Sequence, residues 1–190
     1  RGAMGITYKA FDTNLRTEVA LKVINPQLIV HEEAKARFLR EARAAANLRH
    51  RNVGAVFHLG SQDDVWYYAM EFIEGETLDQ IVRRRGKLET LEVLEIVLQL
   101  SRALSAAEKQ DLTHRDLKPA NIMLTSEADG EEIVKLIDFG LAKAGGKAGE
   151  SMALSTAGFL GTPMFASPEQ LAEEDVDILS LIHISEPTRQ

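Results

Sequence analysis

The stretch from Leu112 to Gly140, LTHRDLKPANIMLTSEADGEEIVKLIDFG, constrains this chain more than any other. Ile122 to Leu124 and Ile133 to Ile137 are short apolar runs with strand character, and the polar Ser126 to Glu132 segment between them reads as a turn. Asp116 precedes the first run and Asp138 follows the second, so both aspartates emerge beside one small hairpin. His114 and Arg115 lead into Asp116, Lys118 lies two residues beyond it and Asn121 five, while Phe139 and Gly140 follow Asp138. Two carboxylates, an amide and an ammonium at fixed separations provide hard oxygen ligands and a cation, the equipment of a phosphoryl-transfer site.

The segments before it divide in two. Arg1 to Ala10, with Gly2 and Gly5 followed by β-branched and aromatic residues, has the form of a glycine turn entering a strand. Such glycines either build an ordinary hairpin or let backbone N–H groups approach a phosphate. Val19 to Ile24 is a strand pattern with Lys22 inside it, a lysine that either snorkels at an edge or meets a buried anion. From His31 to Leu48 the period becomes helical, with Ala34, Phe38, Ala42, Ala45 and Leu48 on one stripe. Glu41 sits on or beside that stripe, where an inward carboxylate wants a cation. Lys22 is the natural candidate, and Arg37 or solvent is the alternative. Val53 to Leu59 and Trp66 to Phe72 read as strands around a Gln62-Asp63-Asp64 turn.

Glu74-Gly75-Glu76 breaks the strand pattern, and helices dominate beyond it, one from near Thr77 and a longer one from about Thr90 to Gln110. A β-rich lobe is thus followed by an α-rich lobe. Arg83 to Arg85 reads as a solvated helix end or, less simply, a binding patch. Leu141 to Ala157 is rich in Gly, Ala, Ser and Lys without period and reads as a loop, and order is expected to resume in GTPMFASPEQL, Gly161 to Leu171, where Ser167 caps a helix begun by Pro168.

Composition narrows the partners. With 22 Lys+Arg against 29 Asp+Glu the net charge is −7, which offers no general cationic field for nucleic acid or an anionic bilayer. The absence of cysteine excludes disulfides, thiolate nucleophiles and thiolate metal sites, and fits a reducing, cytoplasmic location. Thr90 to Ala107 is interrupted by Glu92, Glu95, Gln99 and Arg102 and does not qualify as a membrane span. The 190 residues suffice for one domain of two lobes.

These motifs resemble those of the eukaryotic-type protein kinases, and most closely the bacterial serine/threonine kinases of that superfamily. RGAMGITYKA is similar to the glycine-rich loop without its first glycine, VALK to the strand-lysine motif, HRDLKPAN to the catalytic loop, DFG to the metal motif and GTPMFASPE to the end of the activation segment. The resemblance covers Arg1 to about Asp177 and implies an α+β, bilobal protein kinase-like fold. Its small β-rich N-lobe with one helix would span about 1–73, and a truncated helical C-lobe about 74–178. It implies an enzyme that moves the γ-phosphate of ATP to Ser/Thr hydroxyls of proteins with Mg²⁺. By the same resemblance Lys22 holds the α/β-phosphates and is oriented by Glu41, Asp116 accepts the substrate proton, Lys118 steadies the γ-phosphate, and Asn121 and Asp138 bind Mg²⁺. Gly2 and Gly5 would cover the phosphates. Met70 is similar to the gatekeeper, the backbone of Glu71 and Ile73 would meet the purine edge, and Ala20 and Met123 would sandwich the ring. Thr162 resembles the threonine bridging the catalytic aspartate and lysine. Arg115 implies control by loop phosphorylation, with Thr156, then Ser155 and Ser151, as phosphosites and a second kinase copy as a trans-autophosphorylation partner.

Two departures stand out. Thr7 replaces the valine usual over the adenine, and after AEEDVDI the chain reads LSLIHISEPTRQ instead of the family's further helices. Leu179 to Arg189 looks like the in-frame translation of a sequencing adapter, so residues 179–190 are expected to be non-native. Loss of the covering helices would leave apolar surface exposed and the isolated fragment weakly active or inactive, while relatives of this kind can carry a membrane anchor further on. The competing classes are a pseudokinase scaffold, which would lack a catalytic group, and a small-molecule phosphotransferase.

Overall fold

The computed structural model describes residues 5–127, 130–139 and 165. Its first layer is a four-stranded antiparallel sheet formed by β1 (Gly5–Asp12), β2 (Thr17–Ile24), β3 (Val56–Gln62) and β4 (Val65–Glu71) in the order β1-β2-β4-β3. Polar turns set its registers. The Asp12 carboxylate accepts from the backbone N–H groups of Asn14 and Leu15, both at 2.9 Å, closing the β1–β2 turn. Asp63 and Asp64 both have positive φ, 49° and 61°, as a tight two-residue hairpin requires. Gly5 is needed at the start of β1 because a Cβ there would collide with the Val23 carbonyl of β2. That glycine is explained by strand pairing before any phosphate is considered.

Helix α1 (Glu32–Asn47) packs on this sheet through Ala34, Phe38, Ala42 and Ala45, with Leu48 buried just beyond its end. All five residues of the expected stripe are therefore inward. Phe38 meets the Trp66 ring edge-on at 6.2 Å. Exposed Glu32 and Glu33 in the first turn complement the helix dipole in place of a side-chain cap, which His31 does not provide.

The chain then crosses to a second layer. Here a two-residue strand, β5 (Glu76–Thr77), pairs with β6 (Ile122–Ser126), which pairs with β7 (Glu132–Leu136). The Glu74-Gly75-Glu76 segment, read from sequence as a simple break, thus contributes an edge strand. The period-2 signal needs several residues to register, and two are too few. Thr77 ends β5 and also caps α2 (Leu78–Arg85) through a reciprocal capping box with Gln80, while Gly86 with φ 81° closes the helix. Arg83, Arg84 and Arg85 pair with Asp79, Glu76 and Glu92, which makes the basic run a solvated, internally paired helix end. Helix α3 (Thr90–Glu108) buries Ile96, Leu100, Ala103 and Ala107. On its other side Leu91, Leu94, Val97 and Leu98 are exposed. Among the described residues no helix is long and apolar enough to cross a membrane.

The segment after α1 joins the two layers. Buried Asn52 donates to the Gln99 side chain at 2.7 Å and to the Val134 carbonyl at 2.8 Å, and its own carbonyl accepts from Leu136 N–H at 2.9 Å. Gly54 N–H donates to the Leu136 carbonyl, so residues 52–54 lie along β7. One hydrophobic core then runs from Ile24 and Phe38 through Val53 and Val56 to Ile96, Leu100 and Leu136.

Candidate active site

The hairpin of β6 and β7 brings the two aspartates together from opposite ends. Ahead of it, residues 113–118 form an irregular loop that reaches Asn121 through a single 3-10 turn, Pro119–Asn121. Pro119 at the first position supplies the fixed φ such a turn needs. Buried His114 anchors the loop: its Nε2 contacts the Ile137 carbonyl at 3.0 Å, its ring lies 4.9 Å from that of Phe139, and Asp116 N–H donates to its carbonyl at 2.8 Å. The same His–Phe contact ties the turn before β6 to the turn after β7.

Around Asp116 the geometry is compact. Lys118 Nζ lies 2.9 Å from Asp116 Oδ2, and Asn121 Nδ2 donates to the Asp116 carbonyl at 2.8 Å and to Oδ2 at 3.2 Å. Both Asp116 and Asn121 are buried. Because the Asn121 amide nitrogen is engaged, its amide oxygen is the atom left to act as a ligand. A cationic and a neutral donor orient the Asp116 carboxylate, as a proton-accepting group requires.

Asp138 is held differently. Its Oδ2 is 2.8 Å from Lys22 Nζ and its Oδ1 accepts from the Tyr68 hydroxyl at 3.0 Å. Lys22 is buried on β2, an interior strand of the sheet, so of the two sequence readings the buried anion holds and the snorkelling edge does not. The anion is Asp138, however. Glu41, the expected partner, pairs with Arg115 at 2.6 Å. The expected Lys22–Glu41 contact is therefore replaced by two crossed ion pairs. The reason is electrostatic: buried Lys22 needs an anion and half-buried Glu41 a cation, and Asp138 and Arg115 supply them. Stripping one partner from such a pair costs about 3–5 kcal/mol.

Burial raises the Glu41 carboxyl above its usual value, against the opposing pull of Arg115. Burial also pushes the Tyr68 phenol well up, reinforced by the Asp138 charge, so it stays a neutral donor. Arg115 and Asp138 both have left-handed backbone, φ 56° and 58°, an uncommon conformation for non-glycine residues and one found where function over-determines structure.

Of the residues expected at a nucleotide, Ala20 and Met70 are buried and directly paired across β2 and β4, Ile73 is buried, and Met123 is partly exposed on β6. Glu71 turns its carboxylate to Lys135 at 2.7 Å and to Ala55 N–H at 3.1 Å, and its own N–H donates to the Ala55 carbonyl. Gly2, Ser151, Ser155, Thr156 and Thr162 lie outside the described residues. A separate cleft of about 490 Å³ between α2 and β6 is lined by Glu76, Arg84, Arg85 and Glu92, whose charges pair with one another, and it shares no residue with this constellation. Sequence reasoning missed Tyr68 and the anchoring role of His114. His114 had a signal in its place before Arg115 and Asp116, whereas Tyr68 had none.

A model of the protein kinase domain family matches residues 1–182. The chain belongs to the protein kinase domain family. This kinase domain is 40% identical over 178 residues to a serine/threonine-protein kinase of Myxococcus xanthus, covering 93% of the chain and 32% of that protein. To the serine/threonine-protein kinase PrkC of Bacillus subtilis it is 35% identical over 184 residues, covering 95% of the chain and 27% of that protein. Among solved structures, the kinase domain of Mycobacterium tuberculosis PknI superposes with a TM-score of 0.73 at 31% identity, over 97% of this chain and 70% of that one. The bilobal α+β kinase fold expected from the motifs is thereby shown. The kinase domain spans about a quarter to a third of the length of the curated relatives it matches.

Proposed function

We propose that the protein carrying this domain is an ATP-dependent serine/threonine protein kinase. The observation that carries the reading is the hydrogen-bonded cluster of Asp116, Lys118 and Asn121, which sets a proton acceptor, a cation and a hard oxygen ligand within one short loop. Phosphoryl transfer has a loose transition state with charge spread over oxygen, so catalysis consists of positioning and cations. Asp116 receives the proton of the attacking hydroxyl, and Lys118 faces the transferred group. Lys22 leaves Asp138 for the α- and β-phosphates, and Glu41 leaves Arg115 to orient it. Thr162 bridges Asp116 and Lys118.

The Asp138 carboxylate and the Asn121 amide oxygen are the donor chemistry that Mg²⁺ takes, with nucleotide phosphates completing the set. Held by these residues, Mg²⁺ would supply charge neutralisation at the phosphate oxygens. Ala20 and Met123 would hold the adenine ring, Met70 and the backbone of Glu71 and Ile73 its edge, and Gly2 and Gly5 the phosphates. Support for Ser/Thr specificity comes from Lys118 two residues after Asp116 and from the names of the relatives. Phosphorylation at Thr156, Ser155 or Ser151 by a second copy would give Arg115 an anion other than Glu41.

The test is γ-phosphate transfer to a generic Ser/Thr protein by the full-length protein carrying this domain, compared with its Asp138→Ala variant. Loss of Mg²⁺-dependent transfer in the variant is expected. Undiminished transfer in the variant would sink the assignment of Asp138. Absent ATP turnover in the unaltered protein would point to a scaffold, and transfer to a sugar in place of protein to a small-molecule phosphotransferase.

A further inference from the structure

Tyr68 stands out among the buried polar groups that this mechanism leaves unused. It lies on β4, directly opposite Lys22 of β2, and is 2% exposed. A buried phenol must find an acceptor, and the one it finds lies 70 residues away in sequence, the Oδ1 atom of Asp138 at 3.0 Å. Lys22 takes the other oxygen, Oδ2, at 2.8 Å, with its ammonium 5.9 Å from the centroid of the Tyr68 ring. The two donors thus divide the carboxylate between them. They differ in kind. Lys22 is a cation whose place at Oδ2 another cation can take, whereas Tyr68 is neutral and carries no charge to compete with one. A carboxylate offers about four lone-pair sites, so a donor on Oδ1 leaves Oδ2 available once the lysine has moved.

We propose that Tyr68 is a positioning residue for the metal-binding carboxylate: its hydroxyl ties Asp138 Oδ1 and so presents Oδ2, to Lys22 in the structure described and to a divalent cation when Lys22 turns to phosphate. The proposal rests on the reading of Asp138 as a metal ligand. Two further observations support it. Asp138 sits in left-handed backbone, φ 58°, which fixes where the carboxylate starts but not how it turns about its side-chain bonds. Tyr68 is also rigidly placed, being paired in register with Lys22 on one side and with Leu59 on the other. A ligating carboxylate that is itself hydrogen-bonded is better oriented and binds metal more tightly, by roughly 10–100-fold when such outer partners are compared with their deletions.

Tyr68→Phe keeps the ring and removes only the hydroxyl. In the full-length protein carrying this domain, Mg²⁺ alone is titrated calorimetrically into the ADP complex of the unaltered protein, of Tyr68→Phe and of Asp138→Ala, and ADP affinity is measured separately in EDTA. The expected result is Mg²⁺ affinity roughly 10-fold weaker in Tyr68→Phe, with metal-free ADP affinity within about twofold of the unaltered protein. The Mg²⁺ concentration for half-maximal transfer rises by the same factor while kcat at saturating Mg²⁺ is retained. Unchanged Mg²⁺ affinity in Tyr68→Phe, with binding lost in Asp138→Ala, overturns the role of Tyr68 alone. An equal loss of metal-free ADP affinity makes Tyr68 merely structural and also overturns it. Mg²⁺ binding intact in Asp138→Ala overturns the metal-ligand reading and this inference with it.

Discussion

Asp116 and Asp138 are both aspartates beside the same hairpin, but they are held in opposite ways. The Asp116 carboxylate is held by Lys118 and Asn121, both from the next five residues of chain. The Asp138 carboxylate is held by Lys22 of β2 and Tyr68 of β4, from the other layer of the molecule. A cluster closed by near sequence neighbours is set chiefly by loop geometry. A cluster assembled across layers records their relative placement, and its partners exchange when that placement or its ligands change.

The sharpest way to break this contrast is Asp116→Asn, which keeps the shape of the local cluster and removes the carboxylate proposed as the proton acceptor. It should lower kcat by roughly 10²–10⁴-fold with ATP affinity nearly unchanged, as steady-state kinetics and nucleotide titration would show. A comparable loss of ATP affinity would mean that the Asp116 cluster is coupled to the other layer after all.

Glu41→Gln probes the crossed pairs. On the proposed reading, in which Glu41 orients Lys22 toward the phosphates, the expected cost is about 10²-fold in kcat/KM. Stability should move the other way with pH. Burial raises the Glu41 carboxyl in the folded protein, so the neutral acid is the form folding favours. Its contribution is fully present below the unfolded value and is lost as pH rises through the raised folded one. Glutamine mimics the neutral acid at every pH. The melting temperature of Glu41→Gln relative to the unaltered protein should therefore climb from acid towards neutral pH, and a flat difference would contradict the direction given for Glu41.

The smallest effect sharpens the comparison from the structural side. Asn52→Ala removes the donors that fasten the segment after α1 to Gln99 and Val134, leaving a buried carbonyl short of a partner at about 1–3 kcal/mol. Denaturant unfolding should show that loss. Because the link lies behind the site, kcat at saturating substrate should hold.

Much of this was legible in the chain. The α1 stripe reads directly because helical spacing and burial are one signal, and Ala34, Phe38, Ala42, Ala45 and Leu48 are all inward. The catalytic loop reads because its partners are sequence neighbours. What failed to read was pairing over distance. Lys22 and Glu41 each announce a need for a counter-charge, but the announcement does not name a partner when Asp138 and Arg115 carry the same charges nearby. Tyr68 was hidden for a second reason: in WYYAME an aromatic residue is what a strand wants for packing, so its hydroxyl adds nothing to the pattern. Likewise Asn52 is an ordinary turn residue by composition, and only the fold reveals the two layers it joins.

The left-handed backbone at position 138 narrows what evolution can write there. Conformation alone would favour glycine, which has no Cβ to strain, but glycine carries no carboxylate. Charge alone would accept glutamate, but left-handed geometry favours short side chains that bond locally, aspartate and asparagine above others. Backbone and chemistry each admit several residues, and their overlap is a single one. A position filtered twice, on independent grounds, can stay invariant without either demand being extreme, and Asp138 with φ 58° is such a position.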